Sequence, residues 1–145
     1  MQITYKTKEI EKKYKELKIL SEHLIKMGVS GEEVSKYAYR NEYGTKHIPA
    51  RPFYRTALVF PEGRRAVEKR IKEEISEIMS GRKTAMQALK AIGLYCKGRV
   101  VLSIKTGDWA PNSAKTIKAK KGKDTPLLDS KKMVNSIIFE VIKKW

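Results

Sequence analysis

Thr84-Ala85-Met86-Gln87-Ala88-Leu89-Lys90-Ala91-Ile92-Gly93-Leu94-Tyr95-Cys96-Lys97-Gly98-Arg99-Val100-Val101-Leu102-Ser103-Ile104-Lys105 is the stretch on which the fold turns. Met86, Leu89, Ile92, Cys96 and Val100 recur near the 3.6-residue period on one side, while Leu94, Val101 and Ile104 make a second apolar side. A helix apolar on two sides has neighbours on both, so this segment is expected at the centre of the core. Gly93 and Gly98 each weaken it as an isolated helix by roughly 1 kcal/mol relative to alanine and mark candidate points of close packing.

Working outward, Pro61 stands at a helix start, and Val67, Ile71, Ile75 and Ile78 form one apolar stripe running to the stop at Ser80-Gly81. Ser30 and Glu33 have the spacing of a capping box ahead of a short helix carrying Val34, Tyr37, Ala38 and Asn41 on one face. Further upstream Thr7 caps a helix with Ile10, Tyr14, Leu17 and Leu24 in helical period, expected to end near Met27-Gly28. Ile3, Thr4 and Tyr5 suit a short edge strand. Ile137 to Trp145 alternates in the manner of a strand, with Ile137, Phe139 and Val141 on one face. The expected fold is therefore α+β: one domain over 1–145, with several helices packed on a small antiparallel sheet formed by terminal strands and a long irregular loop.

At 145 residues such a domain buries roughly two-thirds of its unfolded surface without disulfides or metal. The single cysteine, Cys96, lies in the central apolar pattern and reads as a small buried hydrophobe of a reducing compartment. The chain has no apolar run near the roughly 20 residues of a membrane span, and its start lacks a signal peptide's apolar core, so a soluble, unexported protein without a membrane partner is expected. With 32 Lys and Arg against 16 Asp and Glu, the formal charge of +16 calls for a polyanion or an acidic protein surface as partner. Copies this basic repel one another, so any assembly of the chain alone is expected to be salt-sensitive.

Catalytic chemistry is not indicated. His23 and His47 have no cysteine or carboxylate at metal-ligand or relay spacing, and no cofactor or metal is expected. Gly93 to Gly98 imitates the glycine spacing of a phosphate loop but lacks the following Lys-Ser/Thr and the preceding strand. Asn41 and Glu42 are sequence neighbours on a helix and do not face each other, which suits a structural or interfacial role.

Asn41-Glu42-Tyr43-Gly44-Thr45-Lys46-His47-Ile48-Pro49-Ala50-Arg51-Pro52-Phe53 joins two helical patterns through a stiff loop. Gly44 takes the positive φ that ends the preceding helix, and Pro49 and Pro52 push Ile48 and Arg51 towards extended geometry. Two readings stay open for the loop. Phe53 inserts into the domain's own core while Arg51 pairs with a carboxylate such as Glu42, or the two side chains anchor an interface, where an aromatic and an arginine are frequent hot spots. A second ordered segment follows far downstream: Trp109-Ala110-Pro111-Asn112-Ser113, Thr116-Ile117, Lys121-Gly122, Pro126-Leu127-Leu128-Asp129 and Met133-Val134-Asn135-Ser136-Ile137.

The first block, NEYGT followed by IPARPFYRTAL, resembles the NE(F/Y)GT and IPARPF(L/M)R signature of the neck and tail-completion proteins of long-tailed phages. The second is similar to the PPLs…Ti..KG…PLiDTG.m.nSi pattern of the same family, departing from it at Ser130-Lys131, where the family shows Thr-Gly. The resemblance runs from Glu33 to the C-terminus. It implies a structural virion protein that joins the head and its portal connector to the tail, forms a homo-oligomeric ring, and contacts portal or connector proteins and tail tube or terminator proteins. It would reside in the virion, after assembly in the host cytoplasm. The contact residues expected on this reading are Asn41, Glu42, Thr45, Arg51 and Phe53 in the first block, with Trp109, Lys121 and Asp129 in the second.

Lys115, Lys118, Lys120, Lys121 and Lys123 crowd one segment with only Asp124 nearby as a counter-charge. They form either a solvated flexible loop or an arm that contacts phosphates of double-stranded DNA without reading its sequence. The second option supports a rival reading, a small basic DNA-binding module. Trp109 reads as a loop anchor packed on the domain. Thr125-Pro126-Leu127-Leu128 brings the chain back to the body before Asp129 or Ser130 caps a short helix.

Overall fold

The computed structural model describes residues 2–122, 124, 126–127 and 131–145, with side chains from residue 7 onward. In chain order the elements are α1 (Gln2–Ser21), β1 (His23–Val29), α2 (Glu32–Tyr43), α3 (Phe53–Leu58), α4 (Pro61–Met79), α5 (Ala85–Thr106), α6 (Ala114–Ala119), α7 (Lys132–Asn135) and β2 (Ile137–Lys143). Among the described residues they make an α+β fold with one two-stranded antiparallel sheet.

The central position of α5 follows from its apolar periodicity: it packs against α1, α3, α4 and both strands. Thr84 and Gln87 close its N-terminus with a reciprocal capping box, and Glu16 of α1 adds a carboxylate bond from Ala85 N at 2.6 Å. Leu89, Ile92, Cys96, Val100 and Ile104 are buried along it, and burial pushes the Cys96 thiol above its ordinary range. The second apolar side is only partly used, since Leu94 stays 63% exposed. Gly93 is a close-packing point: a Cβ there would lie 2.3 Å from the Phe139 ring, whereas around Gly98 the space is open. Helix α4 starts at Pro61 as expected. Its Gly63 passes so close to α3 that an added Cβ would come within 2.5 Å of the carbonyls of Thr56 and Ala57.

The N-terminal third departs from expectation. Ile3 to Tyr5 belong to α1, so they form no edge strand, and the helix stops at Ser21 instead of running to Met27. His23–Val29 is a strand because it has a partner the local pattern does not reveal. It pairs with Ile137–Lys143 in the register His23 to Lys143, Ile25 to Val141 and Met27 to Phe139. Leu24, placed on the helical stripe, is half-exposed on this strand. The sheet is thus built from β1 and the C-terminal strand, not from both ends of the chain. The Ser30 and Glu33 capping box also does not form. Gly31, at φ 89°, occupies the N-cap position of α2 without a side-chain cap, and Ser30 instead donates its N–H to Ser136 O at 2.7 Å, prolonging the strand pair.

Phe53, Ala38, Ala57, Val100, Ile104, Leu127, Met133 and Ile137 form the main core, and Ile78, Ala85 and Ala88 a smaller one under α1. No helix of the described residues is long and apolar enough to cross a membrane.

Candidate functional site

The loop from Gly44 to Phe53 is fixed from within. Gly44 ends α2 at φ 76°, and a Cβ there would also sit 2.9 Å from Ala50 N, so glycine is required by both backbone and space. Thr45 Oγ1 accepts the N–H groups of His47 and Ile48 at 3.2 and 3.1 Å, and Thr45 N donates to Ile48 O at 2.8 Å. The loop then turns inward at Arg51, which is 4% exposed.

Among the described residues Arg51 is paired with no carboxylate. Its Nη1 donates to Asn41 Oδ1 at 2.8 Å, its Nε to Ala110 O at 2.9 Å, and its Nη2 to Pro111 O at 3.0 Å and Asn112 Oδ1 at 3.4 Å. Asn41 is held in turn by its Nδ2 on Tyr37 O, and Arg51 N donates to Asn41 O. The planar guanidinium therefore ties the end of α2 to a segment about sixty residues away, a geometry that suits arginine and not lysine. Asn112 passes the contact on: its N and Nδ2 both donate to Asp124 Oδ1 at 3.0 Å. Asp124 thus pins the segment and is not simply a counter-charge to the lysines.

Glu42 does different work from the pairing with Arg51 expected of it. Pro52 precedes α3 and supplies no side-chain cap, and the Glu42 carboxylate takes that role by accepting Tyr54 N at 2.8 Å and Arg55 N at 3.0 Å. The same oxygen binds Arg55 Nε at 3.0 Å, while Arg55 Nη2 donates to Glu42 O. Beside it, burial first, then Cys96 and Glu42, push the Tyr54 phenol up to about 12.

Of the residues expected at an interface, Asn41, Glu42, Arg51 and Phe53 are buried within their own domain and are unavailable to a partner in this conformation. Trp109 is half-buried and anchors the loop: its Nε1 donates to Ser103 O at 3.1 Å, and its ring lies against Gly107. Thr45 and Lys121 are exposed, and Asp129 lies outside the described residues. The lysine segment is partly helical where a flexible loop was an option. Ser113 caps α6 through Thr116 N, and Lys115 and Lys118 project from it into solvent; Lys120 follows at its C-cap, Lys121 sits at φ 55°, and Lys123 lies outside the described residues. Leu127 returns the chain to the core, but the N-cap position of α7 is Lys131, at φ 57° and without a side-chain cap, and Asp129 and Ser130 lie outside the described residues.

Two features escaped sequence reasoning. Arg55 lies 4.6 Å from the Tyr43 ring and 5.7 Å from that of Phe60, with Tyr39 against Tyr43. The spacing of Tyr39 and Tyr43, four residues apart on one helix face, was a visible signal, but Arg55 and Phe60 join them only through the fold. Glu74, buried in α4, holds Arg70 Nη2 and Lys83 Nζ at 2.6 Å each. No family model, curated protein or solved structure matches the chain.

Proposed function

We infer that the protein is a structural component of a phage neck, a tail-completion or head-tail adaptor protein that works by binding, as a homo-oligomeric ring between portal connector and tail. One observation supports this reading above the others. The two sequence blocks that resemble the family, about sixty residues apart, meet at Arg51, whose guanidinium spans Asn41 in one and Ala110 and Pro111 in the other. Residues that serve one structural unit are a stronger resemblance than two unrelated strings. Since Arg51 and Phe53 are internal, ring contacts fall to exposed side chains around the loop, such as Thr45. The basic module remains the second reading, favoured by the exposed Lys115, Lys118 and Lys121.

The test is deletion of the gene from the phage or prophage that carries it, followed by electron microscopy of the induced lysate. Filled heads separated from tails, rescued by the wild-type chain, are the expected result. Joined particles in the deletion strain would overturn the reading.

A further inference from the structure

Between α2 and α3 the surface opens into a cleft of about 280 Å³ with Ala38 and Phe53 at its base and Tyr39, Tyr43, Tyr54 and Arg55 around it. The aromatic rings here are left in water: Tyr39 is 66% exposed, Tyr43 55% and Phe60 41%. Single exposed apolar residues need no explanation, but these are joined. Tyr39 and Tyr43 have ring centroids 4.8 Å apart, and the Arg55 guanidinium bridges Tyr43 to Phe60. Arg55 is also held in place before any ligand arrives, by the carboxylate and carbonyl of Glu42. Those two bonds leave donors of a five-donor group over, on a side chain that is 34% exposed. Tyrosine and arginine are the residue types that dominate binding hot spots, and a pre-ordered pair loses little entropy on docking.

Charge selects the occupant. Residues 36–65 carry seven Lys and Arg against two Glu; Glu42 and Arg51 are buried, Lys36 and Arg64 pair with Glu32 and Glu68, and Arg40, Lys46 and Arg65 are left exposed. The surroundings attract carboxylates, while the cleft itself is lined by apolar atoms of Val29, Ala38 and Phe53. A DNA backbone meets proteins through cationic and polar side chains and has nothing to seat in such a cleft. The geometry points to a docking site for an acidic protein segment, which places one apolar or aromatic side chain in the cleft and a carboxylate against Arg55. This holds whether or not the protein belongs to a phage neck, because any acidic partner of this form satisfies it.

The probe is a fluorescein-labelled synthetic peptide of about twelve residues, Asp and Glu around a central Leu-Phe pair, followed by fluorescence anisotropy. A control peptide carries Ser-Gly at the centre, and a labelled duplex of about 20 base pairs serves as the nucleic-acid arm. Wild-type protein is expected to bind the Leu-Phe peptide at least roughly tenfold more tightly than the control, with a comparable loss in the Tyr39→Ala, Tyr43→Ala double variant and in Arg55→Gln. Lys115→Gln with Lys118→Gln, on α6, removes twice the charge of Arg55→Gln from residues that do not line the cleft and is expected to keep peptide affinity within about twofold. Equal binding of both peptides, equal loss in the α6 variant, or no binding at all would overturn the proposal. So would duplex DNA that binds better than the peptide and is lost in the tyrosine variant. Thermal melts check that each variant is folded, and Tyr39→Lys, at the most exposed of these rings, replaces the double variant if that one melts early.

Discussion

Two buried charges in this molecule are stabilised in opposite ways. Among the described residues Arg51 donates to neutral acceptors, an amide oxygen and backbone carbonyls drawn from two distant segments. Glu74 sits between two cations, Arg70 one helical turn away and Lys83 just past the end of the same helix. The first arrangement is long in sequence and organises the fold around the second block; the second is short and locks the α4 to α5 turn. A buried charge therefore has different consequences according to the span it closes.

Removing Arg51 breaks the longer of the two. Arg51→Ala leaves Asn41 Oδ1 and two carbonyls without donors and should cost about 4 kcal/mol, read as a fall in the urea midpoint. Arg51→Lys sharpens the point: it keeps the charge but loses the planar fork, and about 2 kcal/mol of loss is expected. If lysine is neutral there, the bidirectional geometry is not what matters. Glu74→Gln should cost about 3 kcal/mol by stranding two cations, and Glu74→Gln with Lys83→Gln less than the sum of the single changes, in a double-mutant cycle. Gly93→Ala, which involves neither charge directly, forces Phe139 aside and should cost about 2 kcal/mol.

The smallest effect is with pH. Tyr54 and Cys96 both hold their protons more tightly when folded, so their contribution is fully present below the unfolded values, near 9 for the thiol and 10 for the phenol. It is lost as pH rises towards the folded Tyr54 value of about 12. Denaturation midpoints should hold steady to about pH 8.5 and then decline, and Tyr54→Phe should flatten part of that decline. A pH dependence that Tyr54→Phe leaves unchanged would mean that Tyr54 holds its proton no more tightly in the folded chain.

Much of the helical architecture was legible because it is written in periods and caps. α5 carries its apolar side in one continuous pattern, Pro61 opens α4, Gly44 closes α2, and β2 alternates. β1 was not legible, since Leu24 fits the helical stripe begun by Ile10 as well as it fits a strand, and only pairing with β2 decides the matter. The clamp on Arg51 was hidden for another reason. Its distant acceptors include the carbonyls of Ala110 and Pro111, a group that every residue possesses, so no side-chain pattern announces them. The role of Glu42 was hidden by distance: a carboxylate eleven residues ahead of the Pro-Phe helix start becomes its cap only because the loop folds back.

The pairing of β1 with β2 also sets a clock. About 108 residues separate Val29 from Ile137, and at the usual 5–20 residues per second a ribosome needs about 5 to 20 s to supply the second strand after the first. Once α5 has been made, the seat of Phe139 over Gly93 stands open until the second strand follows, about 31 residues after Thr106. The growing chain thus carries a bare strand and an apolar saddle side by side, and how quickly translation finishes becomes part of how cleanly the protein is made.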